Sequence, residues 1–229
     1  LLGIALGVAT LIIVMSVMNG FKQELMGRIL GLNGHLTVYG PVDGLADFDA
    51  LKDRLSTVAG VRIVTPMIEN QVMATANSVA RGAVVRAFRA EDLRKKAIIA
   101  DNIIAGSLDG FQGEDAIVIG TRMAERMGVR VGDPVTLISP KGNVTAFGSV
   151  PRLKAYTVVA IYEIGMYEYD ANFVFMPLEA AQTYFRMPTT VSALEVFADS
   201  PEKATALVRP LAKAAGDLAR VQDWQRTNA

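Results

Sequence analysis

No cysteine occurs among the 229 residues, which excludes disulfides, thiolate metal sites and thiol nucleophiles. Histidine occurs once, as His35, so histidine metal clusters and Ser/His/Asp triads have almost no material. Neither sign of charge is in excess: 23 Lys and Arg balance 23 Asp and Glu. With no run of Lys or Arg, nucleic-acid binding lacks an electrostatic basis. Charge is missing altogether from residues 1–18, where Thr10 and Ser16 are the polar side chains.

That uncharged run is the most informative stretch present. A bilayer core takes about 20 apolar residues at roughly 1.5 Å each, so residues 1–20 read as the outer part of a transmembrane helix. A buried core helix and a cleaved signal are the alternatives. A signal h-region is shorter and ends in an Ala-x-Ala-like site, whereas here Asn19-Gly20-Phe21-Lys22 follows. Gly3 and Gly7 form a G-x-x-x-G pair, a spacing that permits close helix packing and is common in membrane helices. Residues 21–34 keep helical spacing, with Phe21, Leu25, Ile29 and Leu32 on one face, and predict an amphipathic stalk stopped by Gly31, Asn33 and Gly34.

Beyond the stalk, 35–39 predicts a strand. A helix follows at 47–58, capped by Asp47 and closed by Gly60, then a strand at 61–65 ended by Pro66. Residues 69–76 and 78–88 alternate as two strands joined at Ala76-Asn77, and 91–96 predicts a short helix. From about 97 to 186 short strands dominate. They are expected at 116–119, 135–139, 154–164 and 171–176, with a helix at 121–127 closed by Gly128 and a turn at 140–143. The segment between the last two strands would make a hairpin. A proline-started helix at 177–185, a strand at 191–198, a helix at 201–215 and a last strand at 220–222 complete the chain. The order of 191–222 echoes that of 35–65. The fold class is therefore α+β: one part formed by 35–96 and 187–224, a β-rich part inserted at 97–186, and 225–229 beyond them.

Candidate chemistry is sparse. Asp49 and Asp53, four apart and following Asp47, could hold a cation, but a solvated helix face explains them. His35 reads as a strand-end histidine. Gly106, Gly110 and Gly113 lack the Lys-Ser/Thr of a phosphate loop. No metal site and no cofactor is expected. In residues 163–175, Met166, Tyr167 and Tyr169 would project from the hairpin tip, where such side chains favour recognition; packing on the domain's own core is the plainer reading.

The string Ser16-Val17-Met18-Asn19-Gly20-Phe21, with Glu24-Leu25 and Ile29-Leu30-Gly31-Leu32 after it, closely resembles the LolC/LolE membrane subunits of lipoprotein-releasing ABC transporters. Further matching stretches are Gly120-x-x-x-Ala124-x-x-x-Gly128-Val129-x-x-Gly132-Asp133, Gly148-x-x-Pro151 before Tyr156-Thr157-Val158, and Asp223-Trp224-Gln225-Arg226. The glycine-turn motif is shared with macrolide-exporter-type permeases. The resemblance implies a split "Porter" part and an inserted "Sabre" part, held in the periplasm by an inner-membrane helix, with 225–229 as the approach to a second transmembrane helix. It implies a LolD-type cytoplasmic ATPase, a second LolC/LolE-type subunit, a LolA-type periplasmic carrier and a lipoprotein substrate as partners, with no catalysis on this chain.

By the same resemblance a protruding hook at 158–170 would capture the carrier through Ile164, Gly165, Met166, Tyr167, Glu168, Tyr169 and Asp170. Lys154 and Asn172 would form an adjacent pad. Val14, Met15, Val17, Met18 and Phe21, where the helix leaves the hydrocarbon, would contact lipoprotein acyl chains; each buried methylene stabilises by about 0.8 kcal/mol. Competing readings are an exporter-type or cell-division-type permease, which would lack a carrier-capturing hook, and a membrane-anchored periplasmic enzyme, for which no carboxylate pair has supporting spacing.

Overall fold

The structure, a computed structural model, describes the backbone at 2–41, 43–145, 148–216 and 219–224, and within these all side chains except those at 2, 4–6, 22–30, 141–145 and 148–149. Helix α1 (Leu2–Leu32) is unbroken. Gly31 lies inside it, so Asn33 and Gly34 alone end it. Side chains between Val8 and Phe21 stand exposed. Among the described residues no helix is long and apolar enough to cross a membrane. The described apolar stretch, 7–18, spans only about 18 Å of helix. The amphipathic face expected of the stalk falls largely on side chains outside the described residues; Leu32, at its end, is buried.

After α1 come β1 (Leu36–Tyr39), α2 (Phe48–Ser56), β2 (Val61–Ala76) and β3 (Val79–Phe88). Asp47 precedes α2 in a left-handed conformation and makes no side-chain cap bond. Late in the chain β9 (Ala193–Ala198), α8 (Ala204–Ala215) and β10 (Arg220–Asp223) return to the same place. They form an antiparallel sheet in the order β10-β1-β9-β2. One face of it is covered by α2 and α8: Leu51, Leu55, Leu207 and Leu211 pack with Leu36, Val38, Val64, Leu194 and Val196. The alternation of β1 drives this, because period-two apolar positions share one face.

Pro66 does not end a strand. β2 runs through it, paired with β9 from Val61 to Met67 and with β3 from Ile68 to Ala76. A residue without an N–H is tolerated there because the edge away from β9 is still unpaired at position 66. The β2–β3 turn is Asn77-Ser78, one residue later than expected, with φ of 48° and 64°. Asn77 suits that conformation, and its amide donates to the Met127 and Gly128 carbonyls at 2.9 and 3.0 Å.

Between β3 and β9 lie α3 (Ala90–Arg94), α4 (Ala97–Ala100), β4 (Ile103–Gly106), β5 (Ala116–Gly120), α5 (Thr121–Met127), β6 (Pro134–Thr145), β7 (Gly148–Tyr162), α6 (Tyr167–Asn172), β8 (Phe173–Pro177) and α7 (Leu178–Phe185). Gly128 closes α5 at φ 63°, as its sequence position predicts. The pairings β2-β3, β3-β8, β8-β5, β5-β7, β7-β6 and β6-β2 return to their start, so six strands close a barrel. Alternate residues fill it: Val72 and Ala74, Ile117 and Ile119, Val135 and Leu137, Tyr156 and Val158 are buried. β5 is buried on both sides, and its other parity, with Val118, joins Leu32, Phe88, Phe111, Tyr162 and Phe175 in a second core outside the barrel.

The sequence division near residue 97 is therefore not a division of the sheets. β2 and β3, from before it, form barrel wall with strands from after it, because their outer edges pair with β6 and β8. The turn expected at 140–143 is strand with a register irregularity between Ser139 and Asn143. The β6–β7 connection falls between Thr145 and Gly148, outside the described residues.

Candidate functional site

Two regions stand out, one where α1 meets the sheets and one on the outer barrel wall. At the first, the Gly34 N–H donates to Glu195 Oε1 at 2.8 Å, and Glu195 Oε2 pairs with the Lys96 ammonium. Both side chains are almost wholly buried. Lys96 also faces the last carbonyl of α1, on Leu32, at 3.5 Å, and lies 4.8 Å from the centres of both the Phe88 and Phe197 rings. Burial pushes the Lys96 pKa down, and the Glu195 carboxylate opposes that push. Beside it Asn33 accepts from Arg86 at 2.6 Å and donates to the Tyr169 hydroxyl at 2.7 Å, while Arg86 pairs with Glu69 at 2.7 Å. Three consecutive residues, 32–34, thus hold β9, β3, α6 and the α3–α4 segment.

The second region is an apolar row. Met73 on β2 is registered with Ile138 on β6, and Ile138 with Leu153 on β7. Their parity is opposite to that of the barrel interior, so they face outward; Met73 is 46% and Leu153 61% exposed. β2 pairing stops at Ile138. Past it β6 and β7 continue together alone, as a two-stranded arm that carries Val150, also exposed. Tyr184 of α7 clamps the root of the arm: its hydroxyl lies 2.9 Å from the Leu137 carbonyl and 3.1 Å from that of Arg152.

Residues 158–170 are not a protruding hairpin. β7 and β8 do not pair with each other, because β5 separates them. Residues Val158 to Tyr162 are barrel wall, and the segment then turns at Gly165 (φ 73°) into α6. Ile164 and Asp170 are buried; the Asp170 carboxylate accepts from the backbone of Ile164 at 3.0 Å and of Gly165 at 3.1 Å. Burial raises the Asp170 pKa against those two donors. Met166 packs into the second core, and Tyr169 stacks on Phe173 with its hydroxyl on Asn33. Gly165, Tyr167 and Glu168 reach solvent, Tyr167 with Arg126 against its hydroxyl.

Lys154 and Asn172 are not brought together either. Lys154 binds Asp115 at 3.0 Å, just before β5, whereas Asn172 precedes β8 beyond the other end of β5. Asp49 pairs with Arg89 at 2.7 Å. His35 is buried and its Nδ1 accepts from the Ala198 N–H at 3.1 Å; burial lowers its pKa. Val14, Met15, Val17, Met18 and Phe21 are all exposed on α1. Sequence reasoning missed the Lys96–Glu195 pair, although a charge inside Ala193-Leu194-Glu195-Val196-Phe197 is its visible signal.

Comparison with known proteins supplies the setting. Residues 1–214 match the MacB-like periplasmic core domain. Among curated relatives, the lipoprotein-releasing system transmembrane protein LolC of Neisseria meningitidis is 35% identical over 99% of this chain and 55% of its own length. That of Xylella fastidiosa is 30% identical over 100% and 55%, and LolE of Haemophilus influenzae 25% over 97% and 55%. The chain thus spans about half the length of these relatives. Among solved structures, the extracellular domain of the transporter YknZ aligns at TM-score 0.53 and 14% identity, covering 83% of this chain and 100% of that one. The periplasmic region of MacB from Actinobacillus actinomycetemcomitans aligns at 0.52 and 10%, covering 90% and 96%. These two likenesses concern the fold alone.

Proposed function

We propose, because this chain belongs to the MacB-like periplasmic core domain family and is homologous to LolC and LolE along its whole length, that it is the periplasmic part of a lipoprotein-releasing ABC transporter subunit. α1 is then the outer part of the first transmembrane helix, and the domain stands in the periplasm on the inner membrane. A LolD-type ATPase supplies the energy from the cytoplasm, and a second LolC/LolE-type subunit completes the membrane part. A LolA-type carrier receives the lipoprotein. Val14, Met15, Val17, Met18 and Phe21 meet its acyl chains, as exposed apolar side chains without charge can.

The observation that carries the reading is the outward row Met73–Ile138–Leu153 at the root of an unpartnered β6–β7 arm. A contiguous exposed apolar surface marks an interaction site, and a carrier for acyl chains presents an apolar mouth to it. This supports assigning the carrier-capturing arm to β6–β7 rather than to 158–170. The higher identity to LolC than to LolE favours a LolC-like role.

The test is carrier binding to the full chain in nanodiscs. Val150→Asp/Leu153→Asp is expected to weaken binding at least about tenfold, since an interface hot spot is worth roughly 2 kcal/mol or more. Met166→Asp/Tyr167→Asp should leave it unchanged. The reverse pattern would restore the hook to 158–170. No binding by any folded variant would favour the exporter-type permease.

A further inference from the structure

The face of the four-stranded sheet opposite α2 and α8 is only partly covered. Between it and the α3–α4 segment lies a groove of about 380 Å³, within the roughly 300–1,000 Å³ range of small-molecule sites. Its floor is apolar, built from Ile63, Phe197 and Ile98, with Ile63 40% exposed. Arg62 and Lys95 line it, and among the described residues neither has an ion-pair partner. Asp92 lines it too, and its Oδ2 is buried with no hydrogen-bond partner among the described residues. Asp199 is the second acid of the lining.

These groups select a chemistry. A buried carboxylate oxygen without a donor is costly, and a ligand bringing N–H groups removes that cost. Two cations bind the oxygens of a phosphate. Lys96, also in the lining, is already neutralised by Glu195, so Arg62 and Lys95 balance Asp92 and Asp199, which favours a zwitterion over an anion. The apolar floor takes a hydrocarbon chain. We infer that the groove binds a phospholipid with a primary-amine headgroup: ammonium on Asp92, phosphate between Arg62 and Lys95, and the start of an acyl chain over Ile63, Ile98 and Phe197. Gly31 of α1 closes one side, and the same helix carries the exposed apolar side chains between Val8 and Phe21. A lipid held here therefore sits beside the helix that the proposed function places in the bilayer. The inference does not depend on carrier docking.

The chain carries its own reporter. Its single tryptophan, Trp224, donates to the carbonyl of Pro201 at 3.3 Å, and Pro201 lines the groove. The full chain in phosphatidylcholine nanodiscs is titrated with short-chain brominated phosphatidylethanolamine, and quenching of Trp224 is read. Saturable quenching is expected, about tenfold weaker with brominated phosphatidylcholine, which offers no N–H to a site built to bond one. Asp92→Asn should remove that headgroup preference. Ile63→Glu, at an exposed position, should remove saturable quenching while far-UV circular dichroism is unchanged. Equal affinity for both headgroups, or the same saturation in Ile63→Glu, would overturn the assignment. So would displacement by free phosphoethanolamine as effective as by the lipid, or a concentration-dependent dimer that Ile63→Glu dissolves.

Discussion

The polar cluster at the end of α1 and the apolar row on the outer barrel wall are opposites. In the first, charges are paired, buried in Lys96 with Glu195 and half-buried in Arg86 with Glu69 and Asn33. In the second, apolar side chains are exposed: Met73, Val150, Leu153. Each arrangement costs free energy relative to the ordinary one. A buried ion pair holds one geometry, since any slip leaves a charge unmatched. An exposed apolar row lowers its free energy by meeting a partner. The first region fixes α1, and the second is the surface that the proposed function covers with a partner.

The contrast breaks most sharply at Lys96. Lys96→Met leaves the buried Glu195 carboxylate without its counter-ion, with the Gly34 N–H as its remaining donor, and is expected to lower stability by about 3–5 kcal/mol. Lys96→Met/Glu195→Leu should recover most of that loss in a urea titration. A single variant as stable as the parent would show that the pair does not hold the region. Gly120→Ala is next. A Cβ there would stand 2.3 Å from the Asp170 carbonyl oxygen, so α6 must move away, and a loss of about 2–3 kcal/mol is expected from the overpacking. Amide exchange across 163–172 should rise with it; unchanged exchange would dissociate α6 from the barrel. By contrast, Leu153→Asp should change stability by no more than about 0.5 kcal/mol, because its side chain is mostly exposed and surface positions contribute little. A large drop in its melting temperature would mean that the row packs against this chain itself.

The smallest effect is a pH dependence. The His35 pKa is lowered by burial, and its Nδ1 must stay unprotonated to accept from Ala198. The unfolded chain, with an ordinary histidine near pH 6.5, therefore binds more protons below that pH. This contribution to stability is full above about pH 6.5 and is lost as the pH falls below it. Asn can accept the same bond, so His35→Asn should flatten the difference between melts at pH 5 and pH 7.5. An unchanged slope would assign the dependence to carboxylates.

Local chemistry made much of this fold legible. Gly128 closing α5, the two-residue turn near Asn77, and proline-started segments are dictated within a few residues. The closed barrel was not legible, because closure depends on β2 meeting β6 some 60 residues away, and alternation says which face is buried, not against which strand. Reading 158–170 as a hairpin failed for the same reason: two neighbouring strands were joined directly, whereas β5 pairs between them. Lys154 and Asn172 were paired as a pad by the family resemblance alone, which carries no information on which strand lies between them. The α1 cluster left a sequence trace in Glu195, a lone acid in an apolar strand, but its partner Lys96 lies in an ordinary charged run.

One strand belongs to both sheets. β2 pairs with β9 over its first half and with β3 and β6 over its second, so the two halves of the molecule share a covalent beam rather than a linker. A load entering through α1 passes at Gly34 to β9 and reaches the barrel along β2. It bears on the ladder bonds lengthwise, in shear, where many must yield together, instead of peeling them one at a time. Pulled between α1 and the β2–β3 turn in an optical trap, the domain should give way in one high-force event rather than in two successive lower ones, whereas pulling between its termini should peel β10 from β1 at low force, because Leu36 and Asp223 lie opposite each other at one end of that pair.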